Sequence, residues 1–244
     1  MTSPFARDNN SRPAGSTASQ VLLMLATVVS LLATGSNAQA TPPVVGDRYT
    51  YRLIDGYNNE TRGQLSKQVE NIEGGRVTLA VTLERSGFKK ETTEIQTLQG
   101  DWLRHAITSR DQPFDYDFNQ AYPAYPMPLE PGKKWSMRLN AHVPATGGQR
   151  SVRVDAKVIG NERISVAAGE FDTIKIERSI YAGDAEYNLR ETNTLEVEWY
   201  APALGRSVRL ISKSEYRDIA KGARNQFMRG DWNIFELSAM QKSN

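Results

Sequence analysis

The stretch VAAGEFDTIKIERSIY, Val166–Tyr181, holds a turn and the start of a strand side by side. Gly169 stands between Ala167-Ala168 and Glu170-Phe171. After it Ile174, Ile176 and Ile180 recur at even spacing, with Arg178 breaking the row. Glycine adopts positive φ without steric cost, and apolar residues at every second position mark a strand with one buried face. The stretch therefore predicts a hairpin that turns at Gly169, with Phe171 packed at the start of the returning strand. It contains no convincing nucleophile and no repeated glycines that could cradle a phosphate.

The same period runs outward in both directions. RVTLAVTLE puts Val77, Leu79, Val81 and Leu83 on one face, and SVRVDAKV does so with Val152, Val154, Ala156 and Val158. TLEVEWY sets Leu195, Val197 and Trp199 against Glu196 and Glu198, which predicts that the apolar row is buried and the glutamates face solvent. SVRLISKSEY continues with Val208 and Leu210 and predicts a strand to about Tyr216, followed by a basic connection. WNIFELSAM, Trp232–Met240, predicts the last strand. Between these runs lie turn residues: EGG at Glu73–Gly75, IGNE at Ile159–Glu162, YAGD at Tyr181–Asp184 and APALG at Ala201–Gly205. The fold class that follows is all-β, with one or two curved antiparallel sheets forming a partly closed barrel or sandwich.

Residues 1–40 read differently. A polar leader with Arg7 and Arg12 precedes the apolar run VLLMLATVVSLLA, Val21–Ala33, and TGSNAQA closes on Ala38-Gln39-Ala40. This is the pattern of a cleaved secretory signal. The alternative, a membrane anchor, needs roughly 18–20 apolar residues, more than the run supplies. Cleavage after Ala40 and a periplasmic location are expected, with no membrane span afterwards. The leader takes two of the 30 basic and one of the 28 acidic residues with it. What remains is nearly neutral and carries no bulk field for nucleic acid. No cysteine is present, so disulfides, thiolate metal sites and a cysteine nucleophile are excluded.

Two segments share a shape. VGDRYTYRL begins at Val45 and PGKKWSMRL at Pro131, each with a glycine, two polar residues, an aromatic and an alternation ending in Arg-Leu. Two related β half-modules are expected, residues 41–113 and 132–244. The Pro- and Tyr-rich segment Phe114–Pro131 would join them as an extended connection, because proline cannot donate to a sheet ladder.

PLEPGKKWSM, GNERISVAAGEFDTIKIE and WYAPALGRSVRLI together resemble an uncharacterised family of exported β-rich periplasmic proteins of Gram-negative bacteria. The matching positions are Gly132, Lys133 and Trp135; Val166, Ala168, Gly169 and Phe171; and Trp199, Tyr200, Ala201, Pro202 and Gly205. Ala167 stands where that family often has proline. The resemblance covers about Pro128 to Arg217. It implies a periplasmic β-protein of unknown function and brings no catalytic residues.

A search for chemistry returns little. His105 and His142 lie in different halves, and neither belongs to a metalloprotease, nucleophile-elbow, P-loop or dinucleotide motif. Asp115, Asp117 and Asn119 match the first ligands of a calcium loop. Gln120 replaces its glycine and Pro126 its bidentate glutamate, so no metal is expected. Glu196 and Glu198, about 7 Å apart by strand rise, have a spacing that suits glycoside chemistry. Arg206, Arg209, Lys213, Arg217, Lys221 and Arg224 read as a solvated basic face. Tyr116, Tyr122 and Tyr125 are the candidate ligand-binding residues, as a stacking platform. No cofactor is implied. The leading expectation is a non-enzymatic periplasmic protein that binds a lipid-like, amphipathic envelope component or docks an envelope protein. The alternatives are an envelope glycan hydrolase using Glu196, Glu198 or Asp115, and a purely structural or assembly protein. A carboxylate recessed in a cleft with a raised pKa would favour the hydrolase.

Overall fold

The computed structural model describes residues 41–109, 112–182, 190–218 and 227–243. The expected signal and its cleavage site after Ala40, and the last part of the basic connection (Lys221 and Arg224), lie outside the described residues. Twelve strands follow one another: β1 (Arg48–Asp55), β2 (Thr61–Glu73), β3 (Arg76–Arg85), β4 (Phe88–Thr97), β5 (Trp102–Ser109), β6 (Gln112–Tyr122), β7 (Lys134–Val143), β8 (Gly148–Val166), β9 (Gly169–Ala182), β10 (Arg190–Ala201), β11 (Arg206–Asp218) and β12 (Phe227–Gln241). Each pairs antiparallel with its neighbour in sequence, and β1 pairs with β12, so the sheet closes into an up-and-down barrel. Closure removes the exposed edges that an open sheet must otherwise protect.

The hairpin expected at Gly169 is present. Val166 pairs with Gly169, which has φ of +135°, and Phe171 packs against a buried cluster holding Tyr49, Trp199 and Leu237. The two Gly starts are built alike. Gly46 and Gly132 have φ of +94° and +87°, and their amides donate to Val69 and Val158 carbonyls respectively. Val69 and Val158 donate back to Asp47 and Lys133. Six strands follow each glycine, and the β1–β12 ladder joins the two sets in one wall.

A barrel of about eight strands is just filled by its own side chains or holds one small ligand. Twelve strands enclose more space, and the chain itself fills part of it. The segment Phe114–Pro131 is not an extended connection throughout: it continues β6 as far as Tyr122. The β5–β6 hairpin folds into the barrel. Among the described residues it pairs with β4 only at Ile95↔Arg104 and Gln96↔Trp102, and with β7 only at Asp117↔His142 and Phe118↔Ala141. Its inner end reaches β10 and β11 across the lumen, where the Thr194 hydroxyl donates to the Thr108 carbonyl at 3.4 Å. One face of the hairpin, carrying Ile107, Tyr116 and Phe118, packs with Leu139, Val152, Val154 and Ile180 into a solid core. The other face, carrying Ala106 and Asp115, borders open space. After β6, residues 123–131 close one end of the barrel, with Ala124 and Leu129 buried.

Candidate functional site

The open part of the lumen is a chamber of about 160 Å³. Leu53 from β1, Leu65 from β2, Val81 and Leu83 from β3, Leu210 from β11 and Phe235 from β12 give it apolar walls. These residues face inward because each strand alternates, and the opposite positions on β2 and β3, such as Gln64, Ser66 and Thr82, lie on the outer surface. Thr92 and Thr93 on β4, and His105 and Ala106 on β5, all line the chamber. β4 and β5 pair at only two positions among the described residues, so the chamber meets the wall where its ladder is weakest. Side chains bridge that seam at every second position of β4. Lys90 donates to the Pro113 carbonyl, the Thr92 hydroxyl to Asp115, and Glu94 meets His105 Nδ1 at 3.0 Å.

The chamber continues into a polar recess of about 80 Å³, with Tyr51, Lys67, Glu94, His105, Glu196 and Leu210 bordering both spaces. Sequence reasoning placed Glu196 and Glu198 in solvent, and the structure reverses this. Glu196 is 8% and Glu198 4% exposed, and both point inward. The apolar row of β10 faces outward instead: Leu195 is exposed, while Trp199 is covered. The inversion has a counterpart on β9. Arg178, in line with Ile176 and Ile180, is buried inside and ion-pairs with Glu198. Its other terminal nitrogen donates to the Ala124 carbonyl at 2.9 Å, and its guanidinium lies 5.4 Å from the ring centroids of both Trp102 and Tyr125.

Two of the three ionisable sites in this floor are ion-paired, although Arg178 Nε is buried without a hydrogen-bond partner among the described residues. Burial would raise Glu94, but Lys67 and His105 outweigh it and hold the carboxyl below its ordinary value. Burial would lower Arg178, but Glu198 outweighs it, so the guanidinium stays charged. Glu198 also accepts from the Tyr125 hydroxyl at 2.7 Å. Glu196 differs: no hydrogen bond or ion pair reaches its carboxyl among the described residues. Burial pushes its pKa up, and His105, Arg178 and Lys67 offset only part of that. A carboxyl raised on folding holds its proton more tightly in the folded state. It therefore costs stability as pH climbs from the unfolded value near 4.5 through the raised folded value. Glu196→Gln should melt at a higher temperature than the wild type above that window and at the same temperature below it. Thermal melts across pH will check this.

The other candidates fall elsewhere. Tyr116 and Tyr122 are 2% and 0% exposed within the solid part, where Trp135 Nε1 donates to the Tyr122 hydroxyl at 2.9 Å. Neither ring presents a face for stacking. Tyr125 borders the recess, but its ring is stacked on Tyr200 at 4.0 Å. Asp115, Asp117 and Asn119 stand on β6 with separate partners: Thr92, Arg104 and the Asn140 amide. No group of three His, Cys, Asp or Glu side chains is placed to hold a metal among the described residues. His105 stacks on Trp102 at 3.8 Å. Lys67, Glu94 and Arg178 are floor residues beyond the candidates drawn from the sequence. The signal was Arg178 itself, a charge set in an apolar row.

The chain matches no protein-family model and no curated protein sequence. Among solved structures, a Bacteroides fragilis protein described as exported and YmcC-like in fold aligns at 15% identity, with a TM-score of 0.48. The alignment covers 84% of this chain and 100% of that one. A protein of Parabacteroides distasonis described as a lipoprotein aligns at 15% identity and TM-score 0.49, over 82% and 97% of the two chains. The hypothetical lipoprotein YmcC of Escherichia coli aligns at 10% identity and TM-score 0.38, over 82% and 91%.

Proposed function

We propose that the protein is a non-enzymatic binding protein of the bacterial periplasm that takes a small amphipathic molecule into its barrel. The observation that carries this is the partly open lumen, with apolar walls leading to a polar floor. Such a space suits an apolar body and a polar head, and the weakly paired β4–β5 seam gives the ligand a way in from the side. The outer wall supports a barrel that works in water. Arg52, Lys89, Glu91, Arg153, Lys175 and Glu236 stand on it. A basic residue at the midplane of a membrane barrel costs about 2–4 kcal/mol.

A glycan hydrolase is the second reading, favoured by the recessed, raised carboxyl of Glu196. Its weakness is the second carboxylate. Glu198 is ion-paired with Arg178 and accepts from the Tyr125 hydroxyl, one partner on each carboxylate oxygen, under the closed end of the barrel, so it is tied into the structure rather than free to serve as nucleophile or base.

Native mass spectrometry of protein purified without detergent should show a co-purifying lipid-like mass. The neutral probe N-phenyl-1-naphthylamine should bind saturably. Leu83→Glu should abolish binding, and Ala106→Trp at the seam should slow it. An empty protein without saturable probe binding would overturn the carrier reading, and turnover of an envelope glycan would replace it with the hydrolase.

A further inference from the structure

Resting on the carrier reading, we propose that Glu196 is the anchor for the ligand's head, and that the head is a protonated amine. The position comes first. Glu196 borders both the apolar chamber and the polar recess, which is where a head hanging from an apolar tail comes to rest. The second point is its isolation. Lys67 and His105 are turned to Glu94, and Arg178 and Tyr125 to Glu198. Glu196 is 8% exposed as a residue, and its carboxyl, which faces the open space, has no partner among the described residues. Buried polar groups are almost always satisfied, and a buried carboxyl left alone is costly. An open space beside it lets a ligand supply the missing donors.

Charge selects among heads. A carboxylate or phosphate would enter a floor where Lys67 and Arg178 are already neutralised by Glu94 and Glu198, with Arg178 Nε as the one donor of these two cations left buried without a partner among the described residues. Arg206 borders only the inner recess, and its guanidinium lies 4.2 Å over the Tyr49 ring. A hydroxyl would supply one donor and no charge. An ammonium supplies three donors and the charge that a carboxylate lacks, in a setting where charge-assisted hydrogen bonds are strong. Burial favours the protonated acid in the empty barrel, with Lys67, Glu94, His105, Arg178 and Glu198 as the titratable and charged groups facing it. An arriving ammonium favours the carboxylate, so binding should release a proton at any pH where the empty site still holds it.

Three ligands with one tail test the head: decylamine, decanol and decanoate, each displacing N-phenyl-1-naphthylamine from the full barrel. Decylamine should bind about tenfold or more tighter than the other two. Glu196→Gln should bring it down to decanol while leaving decanol unchanged. Calorimetry in buffers of different ionisation enthalpy should show proton release with decylamine in the wild type and none in Glu196→Gln. Tightest binding of decanoate, lost in Arg206→Gln, would overturn the proposal in favour of an anionic head. Equal binding of all three would show that the head is not read. Probe binding without displacement by any of the three would also overturn the anchor. Absence of probe binding altogether would overturn the carrier reading itself.

Discussion

Arg178→Met is expected to lose about 3–5 kcal/mol of stability, the usual cost of removing one partner from a buried ion pair. The side chains of Arg178 and Glu198 are 1% and 5% exposed. Without the guanidinium, Glu198 keeps only the Tyr125 hydroxyl, and the Ala124 carbonyl loses its side-chain donor. The Trp102 and Tyr125 rings that flank the cation lose it as well. The damage has a definite place. Arg178 ties β9 and β10 to residues 124 and 125, so its removal should loosen the segment that closes the barrel end. Urea denaturation should show the midpoint falling, and hydrogen exchange should rise first around Tyr125. The double variant Arg178→Met/Glu198→Leu should recover most of the loss, because replacing both charges with apolar groups of similar volume is often neutral. A single variant that unfolds with the wild-type midpoint would show that the pair carries no weight.

The strands were legible because alternation is a local property of the chain. Val77, Leu79 and Val81, and Val152, Val154 and Val158, are buried on one face as their spacing requires. The turn at Gly169 was legible for the same reason. What alternation does not state is which face is inside. On β10 the apolar row and the charged row have equal periodicity, and the usual rule sends the apolar row inward. The rule fails here because the β9 row beside the inner face of β10 carries Arg178 between Ile176 and Ile180. A buried cation needs carboxylates more than it needs leucine. Read together, Arg178 in the β9 row and Glu196 and Glu198 on β10 pointed to a charged interior; each strand taken alone did not.

The cavity was less legible still. Phe114, Tyr116 and Phe118 alternate with Asp115, Asp117 and Asn119, which is a strand signature. Nothing in that spacing shows that the hairpin leaves the wall and crosses the lumen. That depends on how little of β5 and β6 pairs with β4 and β7, a property of the closed barrel. The consequence is functional. A hairpin that fills one part of the lumen defines the rest as a chamber, and its weak seams give the chamber its side opening.

Trp199→Ala should also cost about 3–5 kcal/mol, the usual range for truncating a buried aromatic, out of the ~5–15 kcal/mol that holds a domain together. Trp199 is 6% exposed although it stands on the outer side of β10. It is covered by the very turn that defines the fold: Ile164, Val166, Ala168 and Phe171, from either side of Gly169, pack against its cluster. Its indole nitrogen donates to Glu162 at 3.0 Å, and Lys175 and Arg209 lie over the ring at 4.8 and 5.2 Å. The Ala168 amide then donates to the Leu237 carbonyl at 3.2 Å, tying the turn to β12. Truncation removes the surface on which the hairpin lies, so little soluble Trp199→Ala protein is expected, while Trp199→Phe should keep a cooperative transition with a lower urea midpoint. Trp199 itself borders neither the chamber nor the recess, so the folded fraction of Trp199→Phe should bind N-phenyl-1-naphthylamine with wild-type affinity. Normal yield and midpoint for Trp199→Ala would mean the hairpin holds its place without the indole, and Trp199 would then have no part in stability.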